Sequence, residues 1–113
     1  MTTKIKVKEE VKILRCSGDL SANSMITFKK RVKKLMENNQ KKVVLDLAKA
    51  NHVDLAGLGI LVERIRQIRA IDGDIKLCNV TSSVQDAFRL VGVSKLIESF
   101  ATEEEALRSF KVA

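Results

Sequence analysis

Apolar residues recur along this chain with two alternating periods, and the alternation predicts its elements. Lys4-Ile5-Lys6-Val7-Lys8 alternates polar with apolar, and Val11-Lys12-Ile13-Leu14-Arg15-Cys16 follows after Glu9-Glu10, which predicts a hairpin with one buried face. Lysines along the first of these strands suit a sheet edge, where charge discourages pairing with a neighbour. Ser17-Gly18-Asp19 breaks the strand, and the period lengthens. Met25, Phe28, Val32, Leu35 and Met36 then make one stripe of a helix that Ser21 or Asp19 can cap and that ends near Asn38.

The stretch around residues 43–71 organises the rest. Val43, Val44, Leu45 and Leu47 predict a short buried strand, and a polar crossing leads to a long segment in which Leu58, Leu61, Val62, Ile65 and Ile68 recur at steps of three and four. Glu63, Arg64, Arg66, Gln67 and Arg69 fall mostly on the other side of that helix, so the stripe faces a sheet. Asp54 stands where a carboxylate can cap the first free amides, while Gly57 and Gly59 let another chain approach the helix start closely. A working surface is expected here.

Asp72-Gly73-Asp74 supplies a turn before a further strand, Ile75 to Val80. Ser82 and Gln85 stand at capping-box spacing at the start of a short helix that carries Val84, Ala87, Phe88 and Val91 inward, and Gly92 closes it. The segment from Val93 to Phe100 predicts a turn and a short last strand, and Thr102 with Glu105 predicts a final capped helix. Glu103, Glu104 and Glu105 complement its dipole. The class is therefore α/β: a single domain over residues 1–113, with about four helices on a mixed, mostly parallel sheet of about five strands.

At 113 residues the chain can bury a core without staples. Cys16 and Cys78 are far apart, lack metal or redox spacing, and read as reduced core thiols. The sequence predicts a cytoplasmic protein, since no signal-like or membrane-spanning apolar run is present. Lysine and arginine total 21 against 14 acids, a formal charge of +7. This raises the question of nucleic acid, but the basic residues are spread over several elements and the chain has no Trp or Tyr to stack on bases. Solvated faces, among them Lys29 to Lys34 on the first helix, together with attraction to an acidic protein partner, fit the charge better.

Catalytic chemistry finds little support. The lone histidine, His52, has no Ser, Thr or Cys beside it in the crossing, and Gly57-Leu58-Gly59 fails the dinucleotide pattern because Val62 stands where a third glycine belongs. No cofactor and no metal site is predicted, and the residues alone describe a non-enzymatic module with a protein-facing patch.

Val43-Val44-Leu45-Asp46-Leu47, Val53-Asp54 with Gly57-Leu58-Gly59, Asp72-Gly73 before a strand, and Leu90-Val91-Gly92-Val93 together resemble the STAS domain of bacterial anti-sigma factor antagonists. The resemblance implies a protein that binds a kinase-type anti-sigma factor and so regulates transcription by partner switching, with no nucleic acid or membrane contact of its own. It also implies that the kinase phosphorylates a serine at this helix start. Here that position is Ala56, preceded by Leu55, and neither accepts phosphate. The implied partner-binding residues are Ser21, Asp54, Leu55, Ala56, Gly57 and Leu58. The alternative is a switchless STAS scaffold or sensory-complex component, with Leu55 supporting a homodimer.

Overall fold

The computed structural model describes residues 10–110, so the expected edge strand from Lys4 to Lys8 and the hairpin it would complete lie outside the described residues. Four strands and four helices alternate: β1 (Lys12–Arg15), α1 (Ala22–Glu37), β2 (Lys42–Asp46), α2 (Leu55–Arg69), β3 (Asp74–Cys78), α3 (Ser82–Leu90), β4 (Ser99–Phe100) and α4 (Glu103–Ser109). The strands lie in sequence order and every described pairing is parallel, with Ile13 opposite Val44 and Leu45 opposite Leu77. The expected sheet of about five strands, mixed but mostly parallel, fits the four parallel strands of the described residues, with the first expected strand lying outside them. Alternation along residues 11–16 fixed which face is buried but carried no information on the neighbour.

A parallel strand pair needs a crossover, and crossovers of one hand that add strands in one direction place their helices on one face. Val43, Leu45, Ile75 and Leu77 accordingly pack beneath α1, α2 and α3, in a core with Met25, Phe28, Val32, Leu61, Ile65, Val84 and Phe88. Val44 and Cys78, pointing the other way, pack with Ala106 of α4 and with Phe100 and Phe110. Cys16 joins the first core and Cys78 the second, so the two thiols sit on opposite faces of the sheet. Burial, then the charges of Asp46 and Glu103, push the Cys78 thiol up to about 12.

Most of α2 follows its predicted stripe, since Leu58, Leu61, Ile65 and Ile68 are buried. Arg64 departs from it. Instead of lying on the wet side it is buried, with its guanidinium donating to the Gln67 side-chain oxygen at 2.6 Å. The predicted box between Ser82 and Gln85 does not form either. Thr81 occupies the N-cap position without capping, because its hydroxyl donates instead to the Ala50 carbonyl at 2.7 Å. In α4 the Thr102 cap is present, but the Glu105 carboxylate accepts from the Ala101 amide, one residue before the expected partner.

α4 is fixed to the far face by charge as well as by packing. Arg15 donates from two nitrogens to the two oxygens of Glu103, both at 2.9 Å. Lys76, buried in β3, donates to the Ser109 hydroxyl at 2.9 Å and lies 4.4 Å from the centroid of the Phe110 ring.

Candidate functional site at the paired helix starts

In a parallel sheet, each helix that follows a strand begins at the carboxyl end of the sheet. The starts of α1 and α2 are drawn together there by a strand-like contact between the loops that precede them. Leu20 and Val53 form an isolated parallel bridge, in which the Leu20 amide donates to the His52 carbonyl and the Asp54 amide to the Leu20 carbonyl, each at 2.9 Å. Asp19 braces the same junction: one carboxylate oxygen accepts from the amides of Asn51 at 2.8 Å and His52 at 3.1 Å. Those two bonds hold its carboxyl below the usual carboxylate range, with a smaller contribution from the His52 charge working against burial. His52 enters the arrangement through its backbone, and its exposed side chain makes no hydrogen bond among the described residues.

Both helices carry the caps their first turns require. Ser21 caps α1 in a reciprocal box: the Ser24 amide donates to the Ser21 hydroxyl at 3.2 Å, and the Ser21 amide to the Ser24 hydroxyl at 3.1 Å. Asp54 caps α2, accepting from the Gly57 amide at 2.6 Å, and its second oxygen reaches the Ala22 amide of α1 at 3.4 Å. One carboxylate therefore faces two helix N-termini, where both macrodipoles favour negative charge.

Gly57 makes the junction possible. A β-carbon there would overlap the Leu20 carbonyl oxygen and lie 2.7 Å from the Leu20 carbonyl carbon and 2.9 Å from the Ser21 carbonyl carbon. The chain that approaches this glycine is thus the protein's own backbone. Gly59, by contrast, has open space around it.

The expected contact residues divide accordingly. Ser21 and Asp54 hold the helix starts, Gly57 and Leu58 are buried, and Leu58 contributes to the core. Asp54 is exposed as well, and beyond it the junction turns Leu55, with 76% of its surface exposed, and Ala56 to solvent. Asp19, Leu20 and Ser24 complete the arrangement and were not singled out as site residues. The Ser21-to-Ser24 spacing carried a capping signal, whereas a carboxylate bridging to a loop more than thirty residues away leaves no local pattern.

Another cluster lies at the same end of the sheet, on the α4 face. One ligand atom from each of Asp46, Cys78 and Glu103 falls within 4.8 Å of the others. The Arg15 guanidinium supplies the counter-charge to Glu103. Asp46 accepts from the Ala48 amide at 2.9 Å and from the Asn79 side chain at 3.1 Å. Through the Arg15–Glu103 pair, α4 is tied to β1 beside this cluster.

With this geometry in place, comparison with known proteins is decisive for the family. The sequence model of the STAS domain matches residues 2–106. This chain belongs to the STAS domain family. BtrV of Bordetella bronchiseptica, provisionally named an anti-sigma factor antagonist, is 27% identical over 78 residues, covering 69% of this chain and 67% of its own. The anti-sigma F factor antagonist of Paenibacillus polymyxa is 25% identical over 103 residues, covering 90% of this chain and 88% of its own. The anti-sigma factor antagonist SpoIIAA shares the fold: its unphosphorylated form superposes with a TM-score of 0.73 at 19% identity, over 96% of each chain. The phosphorylated form of the same Bacillus protein gives 0.70 at 20% identity, over 94% of this chain and 96% of its own. Among the described residues of this STAS domain, no helix is long and apolar enough to cross a membrane.

Proposed function

We propose that this STAS domain is an anti-sigma factor antagonist that works by occupancy: its α2 start seats in a kinase-type anti-sigma factor and so keeps that factor from its sigma factor. The observation that carries this reading is the presentation of Leu55 and Ala56. They are exposed on the first turn of a helix whose start is held by the Asp54 cap, the Leu20 bridge and the close approach at Gly57. A contact surface held this firmly loses little freedom when it binds, which favours recognition. The names of the Paenibacillus and Bordetella relatives support an anti-sigma factor as the partner.

The methyl group of Ala56 makes the proposed antagonist a constitutive one. A kinase partner has no hydroxyl there to modify, so control passes to the abundance of the protein or of its partner. Affinity capture from the cells that produce the protein, with identification by mass spectrometry, tests the reading. A protein with a kinase-type nucleotide-binding domain supports it. Capture of other STAS proteins alone would instead support a switchless scaffold assembled through Leu55, a reading favoured by that side chain's 76% exposure.

A further inference from the structure

Five cations lie within six residues on α1: Lys29, Lys30, Arg31, Lys33 and Lys34, all exposed. None of them forms an ion pair among the described residues. The helix contains no acid before Glu37. Lys29 with Lys33 and Lys30 with Lys34 are like charges one turn apart, an arrangement that weakens a helix. Lys34 complements the dipole in the last turn, but among the described residues the like-charge spacing itself brings α1 no pairing.

Helical geometry places the cations relative to the α2 start. Lys30 and Lys34 lie opposite the buried stripe of Met25, Phe28 and Val32. Thr27 and Arg31 line a cleft beside β1, so Lys29 and Lys33, on the other flank, stand on the side of α2. The two helices begin together at the Asp54 cap, and at 1.5 Å per residue the lysines run from about 10 to about 18 Å beyond that shared start. Ile26, 45% exposed, lies between.

We propose that this cationic face is the second half of the docking surface and receives an acidic segment of the same protein that takes Leu55 and Ala56. This rests on the reading that a protein partner engages the α2 start. A protein segment fits better than a membrane because the apolar stripe of α1 is spent on the core, leaving no face to insert into lipid. It fits better than nucleic acid because the chain has no Trp or Tyr and its four Phe supply no stacking surface on this helix beyond the buried Phe28.

The test places a photo-crosslinking amino acid at position 30 and, in a separate protein, at position 55, in the cells that produce the chain. The expected result is one protein captured from both positions, with the peptide joined to position 30 rich in Asp and Glu. Replacing Lys29, Lys30, Lys33 and Lys34 with Glu should then weaken binding of that protein at least about tenfold near 0.1 M salt. The difference should shrink towards unity near 1 M, where the screening length falls from about 10 Å to about 3 Å. Capture from position 55 alone, or lipid or nucleic acid joined to position 30, would overturn the inference and leave the proposed function standing. Failure of both positions to capture a regulator would overturn the proposed function itself, and the inference with it. Circular dichroism of the charge-reversed protein separates lost binding from lost fold.

Discussion

Gly57 on α2 lies so close to Leu20, before α1, that a β-carbon would come within 2.7 Å of the Leu20 carbonyl carbon. The two helix starts are therefore joined through backbone, and the exposed pair Leu55-Ala56 inherits its position from that joint. Gly57→Ala should destabilise the domain by about 1–3 kcal/mol, the usual cost of forcing extra volume into a packed site. Leu55→Ala, at an exposed position, should stay within about 0.5 kcal/mol of the parent. Urea denaturation of the two variants checks this. Parental stability in Gly57→Ala would mean that the joint is loose.

The helix stripe facing the sheet gives a second expectation. Leu61 and Ile65 have no exposed surface, so truncating either to alanine should cost about 2–5 kcal/mol. Both losses should appear as lower denaturation midpoints with unchanged slopes. Near-parental midpoints would contradict the placement of α2 against the sheet.

How much of this was legible in the sequence depended on the range of each interaction. The stripes of α1 and α2, the Asp54 cap and the Thr102 cap follow from residues within a turn of one another, and local spacing reveals them. The Leu20–Val53 bridge joins residues from separate loops, and no periodicity records it. Thr81 shows the same limit from the other side: a hydroxyl in capping position turned instead to the Ala50 carbonyl, a partner brought near only by the sheet. Arg64 follows the charge pattern of its neighbours, yet tertiary packing encloses its guanidinium beside Gln67. In the proposed patch, spacing could place residues 55–58 on the first turn of α2 but could not divide exposed Leu55 and Ala56 from buried Gly57 and Leu58.

Asp19 makes the junction sensitive to acid. Its bonds from the Asn51 and His52 amides lower its folded pKa relative to the unfolded carboxyl, near 3.9. The unfolded chain thus binds the proton more readily, and stability rises with pH across this window. The contribution is complete above the unfolded pKa and is lost as pH falls through the lowered folded value. Asp19→Asn keeps an acceptor oxygen but does not titrate. Urea midpoints measured from about pH 6 down to about pH 2 should therefore fall less steeply in the variant than in the parent, and identical slopes would remove Asp19 from this role.

The central claim is that Ala56 leaves a partner-binding surface without its switch. A phosphoserine there would bring about −1.5 to −2 charges to a surface that now presents a methyl group and a neighbouring leucine. The direct measurement incubates the natural chain and an Ala56→Ser variant with the captured kinase-type partner and ATP, then locates phosphate by mass spectrometry and measures binding before and after. Phosphate on residue 56 of the variant alone, with loss of its binding while the natural chain stays bound, is the result predicted. Phosphorylation of the natural chain elsewhere near the helix starts, with release of the partner, would contradict the claim.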